Sequence, residues 1–162
     1  MGAKKDPETN KFAVVQMSDE HIFTVKHEAD RIVSSGGRVG PIVIDGRPIG
    51  PPRCWYGFED SDAPGLMVSR SLGDSCARRI GVTAEPCIYQ AENLAFLIVA
   101  SDGLWEFMTN EEAIGFVAGA ISKRSLTGGM AISEMLCLEA KRRWFSLEGK
   151  VGDDISALVV TF

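Results

Sequence analysis

The sequence lacks an excess of basic charge, a pair of closely spaced cysteines and any apolar run long enough to span a membrane, and each absence removes a class of function. Its 162 residues carry 17 Lys and Arg against 22 Asp and Glu, a formal net charge of −5, whereas a chain that grips nucleic acid needs clustered cations to neutralise phosphates. The densest basic run, Lys141, Arg142 and Arg143, suits the solvated face of a helix better than a binding patch. Cys54, Cys76, Cys87 and Cys137 form no CxxC pair and have no nearby histidines, which argues against a zinc site and leaves buried or free thiols. The polar start, Met1 to Lys11, has no apolar signal-peptide core, and Asp6 stands where a myristoylation signal wants Ser or Thr. These absences lead to the expectation of an intracellular, reducing location, cytoplasm or nucleus, with no nucleic acid and no membrane as partner.

Several chemical motifs are also missing. There is no GxxxxGKS/T phosphate loop, no GxGxxG and no GxSxG. His21 and His27 have no metal partners nearby in sequence, which favours a solvated or structural role for each. Asp60 and Asp62 resemble the start of a calcium loop, but the twelfth position holds Ser71 where an EF-hand requires Glu. Internal repeats and low-complexity segments are absent.

What is present is enough for one ordinary domain with a core: 45% apolar residues against 24% charged, far from the composition of a disordered chain. Phe12 to Gln16 read as a short strand after a polar stretch, Lys4 to Asn10, suited to a turn. Val25, Ala29, Ile32 and Val33 fall at helical spacing, with Gly36 and Gly37 as the stop. Arg38 to Asp74 is rich in Gly and Pro and reads as a long loop, either a functional flap or a surface excursion holding one or two short strands. Ala95 to Ala100, AFLIVA, reads as a strand apolar on both faces and so covered on both. Thr109 with Glu112 forms a capping box, followed by Ala113, Phe116, Val117, Ala120 and Ile121 at helical spacing. A third helix is predicted from about Met130 to Trp144, approached through Gly128 and Gly129. The close, ISALVVTF, reads as a final strand.

Asp102 follows one apolar strand and Asp153 with Asp154 precedes another. Carboxylates at strand ends are held rigidly yet reach solvent, which suits a hard cation such as Mg²⁺ or Mn²⁺. An Asp-Gly after a strand and an Asp pair before one are also the usual residues of turns and loops. Nothing in their spacing shows that they meet, so local sequence leaves both readings open.

A set of phrases in fixed order, Asp19 and His21, EADRIVSSGGRV (Glu28 to Val39), DAPGLMVSRSLGD (Asp62 to Asp74), GVTAEP (Gly81 to Pro86), FLIVASDGLWEFMTNEEA (Phe96 to Ala113) and GDDISALVV (Gly152 to Val160), resembles successive motifs of the PP2C family of metal-dependent serine/threonine protein phosphatases. The resemblance implies an α+β fold, part of a sandwich of two antiparallel β-sheets flanked by helices (α/β/β/α). It also implies a two-metal centre, Mg²⁺ or Mn²⁺, that hydrolyses phosphoserine and phosphothreonine esters in phosphoprotein substrates without a covalent intermediate. It assigns Asp102 and Asp153 as metal ligands. Asp154 occupies a position where the family usually has Asn, and Glu106 one where many members carry an aspartate associated with a third, weaker metal, so both are candidates for weaker metal contact. Arg70 and Asp74, in SRSLGD, are expected to serve structural hydrogen bonding, and about Gly40 to Ala63 corresponds to a flap beside the active site.

The family's DGHGG and GDSRA phrases, its phosphate-binding arginine and its histidine general acid do not occur here. The 162 residues are therefore expected to be the C-terminal portion of a single phosphatase domain whose N-terminal half is missing. In that case no catalytic residue beyond the metal ligands lies in this chain. The isolated chain should bind metal weakly and turn over little, and should expose apolar sheet surface that favours a dimer or a complementing chain. The alternative is a non-catalytic, truncated PP2C-like module for protein contacts.

Overall fold

A computed structural model describes residues 1–58, 63–123 and 131–162. Asp60 and Asp62, and the predicted approach Gly128 to Met130, lie outside the described residues. In chain order the elements are β1 (Gly2–Lys5), β2 (Phe12–Val15), α1 (Lys26–Ser34), β3 (Gly37–Ile44), β4 (Arg47–Tyr56), β5 (Pro64–Leu66), a 3-10 helix (Ser75–Ile80), β6 (Phe96–Ala100), α2 (Asp102–Trp105), α3 (Asn110–Ser122), α4 (Ile132–Glu148) and β7 (Ala157–Thr161). They divide into two compact units, Met1–Ser18 with Tyr89–Phe162, and Asp19–Ile88. Each unit contains one antiparallel sheet together with helix, the α+β class that the sequence implies.

The first unit is built on the sheet β2-β1-β6-β7, all of whose neighbours run antiparallel. Phe96 and Ile98 of β6 are fully buried in one cluster with Ala113, Ile114 and Val117 of α3 and Leu136 and Ala140 of α4. Burial of each Phe, Ile, Val or Leu among them stabilises by about 1.5–3 kcal/mol. Thr109 caps α3 as predicted: its hydroxyl accepts from the Glu112 amide at 3.2 Å while the Glu112 carboxylate accepts from the Thr109 amide at 2.9 Å. The predicted third helix is α4, which runs four residues further than expected, to Glu148.

Two expectations fail in this unit. The polar stretch Lys4 to Asn10 gives its first two residues to β1, a strand whose sequence, GAKK, has no β-branched or aromatic residue. Pairing with β2 on one side and β6 on the other overrides that poor propensity. The turn is confined to the residues after Lys5, where the Asp6 carboxylate accepts from the amides of Glu8 at 2.8 Å and Thr9 at 2.9 Å. On β6, the face opposite Phe96 and Ile98 is left open at Val99 among the described residues. Val99 is 53% exposed and its cross-strand partner Leu158 57%.

The second unit packs α1 and the 3-10 helix with the sheet β3-β4-β5 around Phe23, Ile32, Cys54, Ala77, Ile80 and Val82. Of the apolar stripe predicted for α1, Ile32 is buried but Val33 is 58% exposed, and the fully buried neighbour of Ile32 is Glu28. Much of the predicted long loop is an ordered hairpin, β3 and β4, closed by Asp45 and Gly46 at φ +50° and +73° between the paired Ile44 and Arg47. An Asp-Gly between two apolar runs is the two-residue hairpin signal.

Glu28 is buried among polar partners: Arg31, Arg70 and Ser69 donate to it, and His27 Nε2 lies 3.2 Å from Oε1. Arg31 binds Oε2 at 2.5 Å, Arg70 binds Oε1 at 2.6 and 3.1 Å, and the Ser69 hydroxyl donates to Oε2. Burial alone pushes the carboxyl up, but the bonds from Arg31, Arg70 and Ser69 outweigh it and hold Glu28 well below the ordinary carboxylate range. Arg70 thus has the structural role expected of it. Asp74 contributes its backbone, accepting from the Ala77 amide at 2.8 Å from a left-handed conformation, rather than a side-chain bond.

Candidate metal centre

Antiparallel pairing of β6 and β7 sets Ala100 opposite Ala157, so the residues that follow β6 and those that precede β7 leave the sheet at the same edge. The register brings the turn that carries Asp102 beside the turn that carries Asp153 and Asp154, which their distance in sequence does not show. The two turns are then tied together. The Ser101 amide donates to the Ser156 carbonyl at 3.0 Å, and the Ser156 amide donates to the Ser101 hydroxyl oxygen at 3.0 Å. That hydroxyl donates in turn to the Asp154 carbonyl at 2.9 Å. Gly103 lies so close to the Asp154 carbonyl oxygen that a Cβ on it would collide with that atom. Any larger residue at 103 would force the two turns apart.

Asp102 opens α2, and its Oδ1 accepts from the Gly103 amide at 3.0 Å. Asp153 Oδ1 accepts likewise from the Asp154 amide at 2.7 Å. Each aspartate spends one carboxylate oxygen on shaping its own turn and directs no bond of the second to a protein group among the described residues. Glu106 follows one helical turn after Asp102, its amide donating to the Asp102 carbonyl at 2.9 Å. Asp102, Glu106, Asp153 and Asp154 are all exposed, and among the described residues none is neutralised by a Lys or Arg within ion-pair distance.

Unpaired carboxylates on the ends of core strands are the oxygen donors that Mg²⁺ and Mn²⁺ select. The chemistry of the donors therefore fits a hard cation. Their number does not complete a site: among the described residues no three His, Cys, Asp or Glu side chains are grouped to hold a metal ion. Asp102 and Asp153 thus offer donors of suitable chemistry, but too few for a site among the described residues.

The sequence marks these carboxylates but not the groups that contact their turns, Ser101 and Trp144. Ser101 lies inside a family motif with no role assigned to it, and Trp144 enters only as the end of a helix. A hydroxyl next to a strand-end aspartate is the available signal for the first. No local signal marks the second.

The family model for protein phosphatase 2C matches residues 5–145. The chain belongs to the protein phosphatase 2C family. The match takes in Asp102 and Glu106 and stops before Asp153. Among curated relatives, "Probable protein phosphatase 2C 65" of Arabidopsis thaliana is 33% identical over 155 residues, covering 93% of this chain and 38% of that protein. "Probable protein phosphatase 2C 41" of the same plant is 33% identical over 156 residues, covering 94% of this chain and 42% of that protein. This protein phosphatase 2C chain therefore spans about two fifths of the length of these relatives. A solved structure, the serine-threonine phosphatase 2C from Toxoplasma gondii, superposes with a TM-score of 0.77 at 20% identity, covering 99% of this chain and 50% of that one, a likeness of fold.

Proposed function

We propose that these 162 residues are the C-terminal portion of a single phosphatase domain which, when complete, hydrolyses phosphoserine and phosphothreonine in phosphoprotein substrates with the help of Mg²⁺ or Mn²⁺. The observation that carries this reading is the hydrogen-bonded union of the Asp102 and Asp153 turns through Ser101, within a chain of the protein phosphatase 2C family.

Asp102 and Asp153 would hold the cation, with Asp154 and Glu106 as weaker contacts. Bound divalent cations of this kind lower the pKa of a coordinated water and stabilise charge on phosphoryl oxygens. The chain's own contribution is to fix where those charges sit. Ser101 keeps the two turns at one separation, the strand ends deny them independent motion, and the amides of Gly103 and Asp154 orient one oxygen of each carboxylate. Preorganisation of this sort spares the reaction the cost of arranging ligands during turnover.

Among the described residues no three His, Cys, Asp or Glu side chains are grouped to hold a metal ion, which supports two corollaries. The isolated chain should bind metal weakly and have little activity, and it should seek a dimer or complementing chain through the exposed sheet face at Val99 and Leu158. The same shortage of grouped donors favours the second reading, a non-catalytic module that uses the phosphatase-like surface for protein contacts.

Phosphate release from a phosphothreonine peptide, with and without Mn²⁺, separates the two. The 162-residue chain is assayed alone and joined to the N-terminal part of a family relative. Mn²⁺-dependent turnover in the joined protein only is the expected result; silence in both replaces the first reading with the second.

A further inference from the structure

Both aspartate turns touch a single side chain of α4. The Trp144 indole N–H donates to the carbonyl of Gly103 at 2.6 Å, one residue after Asp102. The benzo ring of the same indole lies against Gly152, one residue before Asp153, so closely that a Cβ there would stand 2.6 Å from Cζ3 and 3.1 Å from Cη2. One end of the contact is polar and directional and the other is steric, and both are made with backbone. No intervening side chain can absorb a displacement.

The indole is itself held. The Phe107 ring meets it edge-on at 4.6 Å and 85°, and the neighbouring Arg143 donates to the Phe107 carbonyl at 2.9 Å. Arg143 is anchored by Glu112 at 2.7 Å and Glu139 at 3.1 Å. α4 also packs on α2, α3 and β7. Trp144 is thus a half-buried side chain on a fixed helix, in contact with two turns that belong to other elements.

We propose that Trp144 is a positioning residue for the metal centre, setting the separation of Asp102 and Asp153 by holding Gly103 and Gly152. The inference rests on the reading of Asp102 and Asp153 as metal ligands. Ser101 and the strand ends tie the turns where they leave the sheet. Trp144 adds an independent tie on the far side of the aspartates, between Gly103 and Gly152. Residues that orient metal ligands without touching the metal commonly cost about 10–100-fold in affinity when changed.

Two substitutions address the same atoms from opposite sides. Trp144→Phe deletes the N–H donor together with the distal ring atoms. Gly152→Ala drives a methyl group into those distal atoms. Mn²⁺ affinity is measured by calorimetric titration of the 162-residue chain joined to the N-terminal part of a family relative, with the urea unfolding midpoint followed in parallel so that unfolded material is not mistaken for weak binding. Each single variant is expected to weaken Mn²⁺ binding about tenfold. Gly152→Ala should cost far less in the Trp144→Phe background, because the atoms it strikes are gone. That non-additivity is the signature of a shared contact, and general loosening of the fold would not produce it.

If both variants keep Mn²⁺ affinity within about twofold of the parent while Asp102→Asn abolishes binding, Trp144 is packing only and the inference falls. It falls equally if the two substitutions weaken binding additively. If Asp102→Asn and Asp153→Asn leave Mn²⁺ binding unchanged, the metal reading itself is overturned and this inference with it.

Discussion

The Ser101 hydroxyl donates to the Asp154 carbonyl at 2.9 Å while accepting from the Ser156 amide at 3.0 Å, so one side chain closes the gap between the turn that follows β6 and the turn that precedes β7. Ser101→Ala removes both bonds and leaves two backbone groups to find water. The loss should lower stability by about 1 kcal/mol, read from the urea midpoint. It should also weaken Mn²⁺ binding about tenfold, as loss of an outer partner of metal ligands does.

Asp102→Asn and Asp153→Asn keep the shape of each turn and remove a charged donor. Calorimetric titration should show each losing more than the ~10–100-fold that an outer partner costs. Asp154→Asn and Glu106→Gln should lose less. None of the four should lower the unfolding midpoint, because no cation among the described residues is paired with these groups.

Glu28 anchors the second unit. Glu28→Ala strands Arg31 and Arg70, whose side chains are 28% and 15% exposed, and should destabilise by about 3 kcal/mol. That is the lower end of the cost of breaking a buried pair, because both guanidiniums can still draw water. Since the folded-state pKa lies below the ordinary value of 4.5, the contribution of Glu28 is fully present above that value and is lost as pH falls beneath it. Glu139, held down to about 2 chiefly by Arg142, adds to the same loss. Unfolding midpoints followed from about pH 6 down to about pH 3 should decline more steeply in the parent than in Glu28→Gln.

Thr109→Ala removes the α3 cap and should cost about 1 kcal/mol in thermal unfolding. Thr109→Ser should restore most of it, since a serine hydroxyl accepts the same bond.

Leu158→Lys places a charge in the middle of the exposed apolar face opposite Val99. Sedimentation should show the parent chain self-associating and the variant shifted toward monomer. No change between them would show that this face plays no part in association.

Where a pattern is local, the sequence declared it. The run Phe96 to Ala100, the Thr109–Glu112 box and the spacing of Ala113, Val117 and Ala120 each need only their own neighbours, and the structure repeats them. What could not be read depends on distant partners. β1 is a strand because β2 and β6 flank it. Glu28 can be buried because Ser69 and Arg70 arrive from some forty positions away. The approach of the turns that carry Asp102 and Asp153 depends on strand register, and the contacts of Trp144 with Gly103 and Gly152 leave no trace in residue spacing. The family resemblance supplied Asp102 and Asp153, but not the groups that set them.

The pairing of Ala100 with Ala157 has a consequence for how the candidate site comes into being. A slip of one residue between β6 and β7 would exchange Leu158 with Val159 between the two faces of the sheet. It would also carry Ser156 away from Ser101. Correct pairing and correct placement of the carboxylates are therefore coupled, since a misaligned β7 would lose the bonds that join the two turns. Slowed exchange of the backbone amides along β7 should appear at the same moment as metal affinity, so a refolding chain would acquire both together or neither.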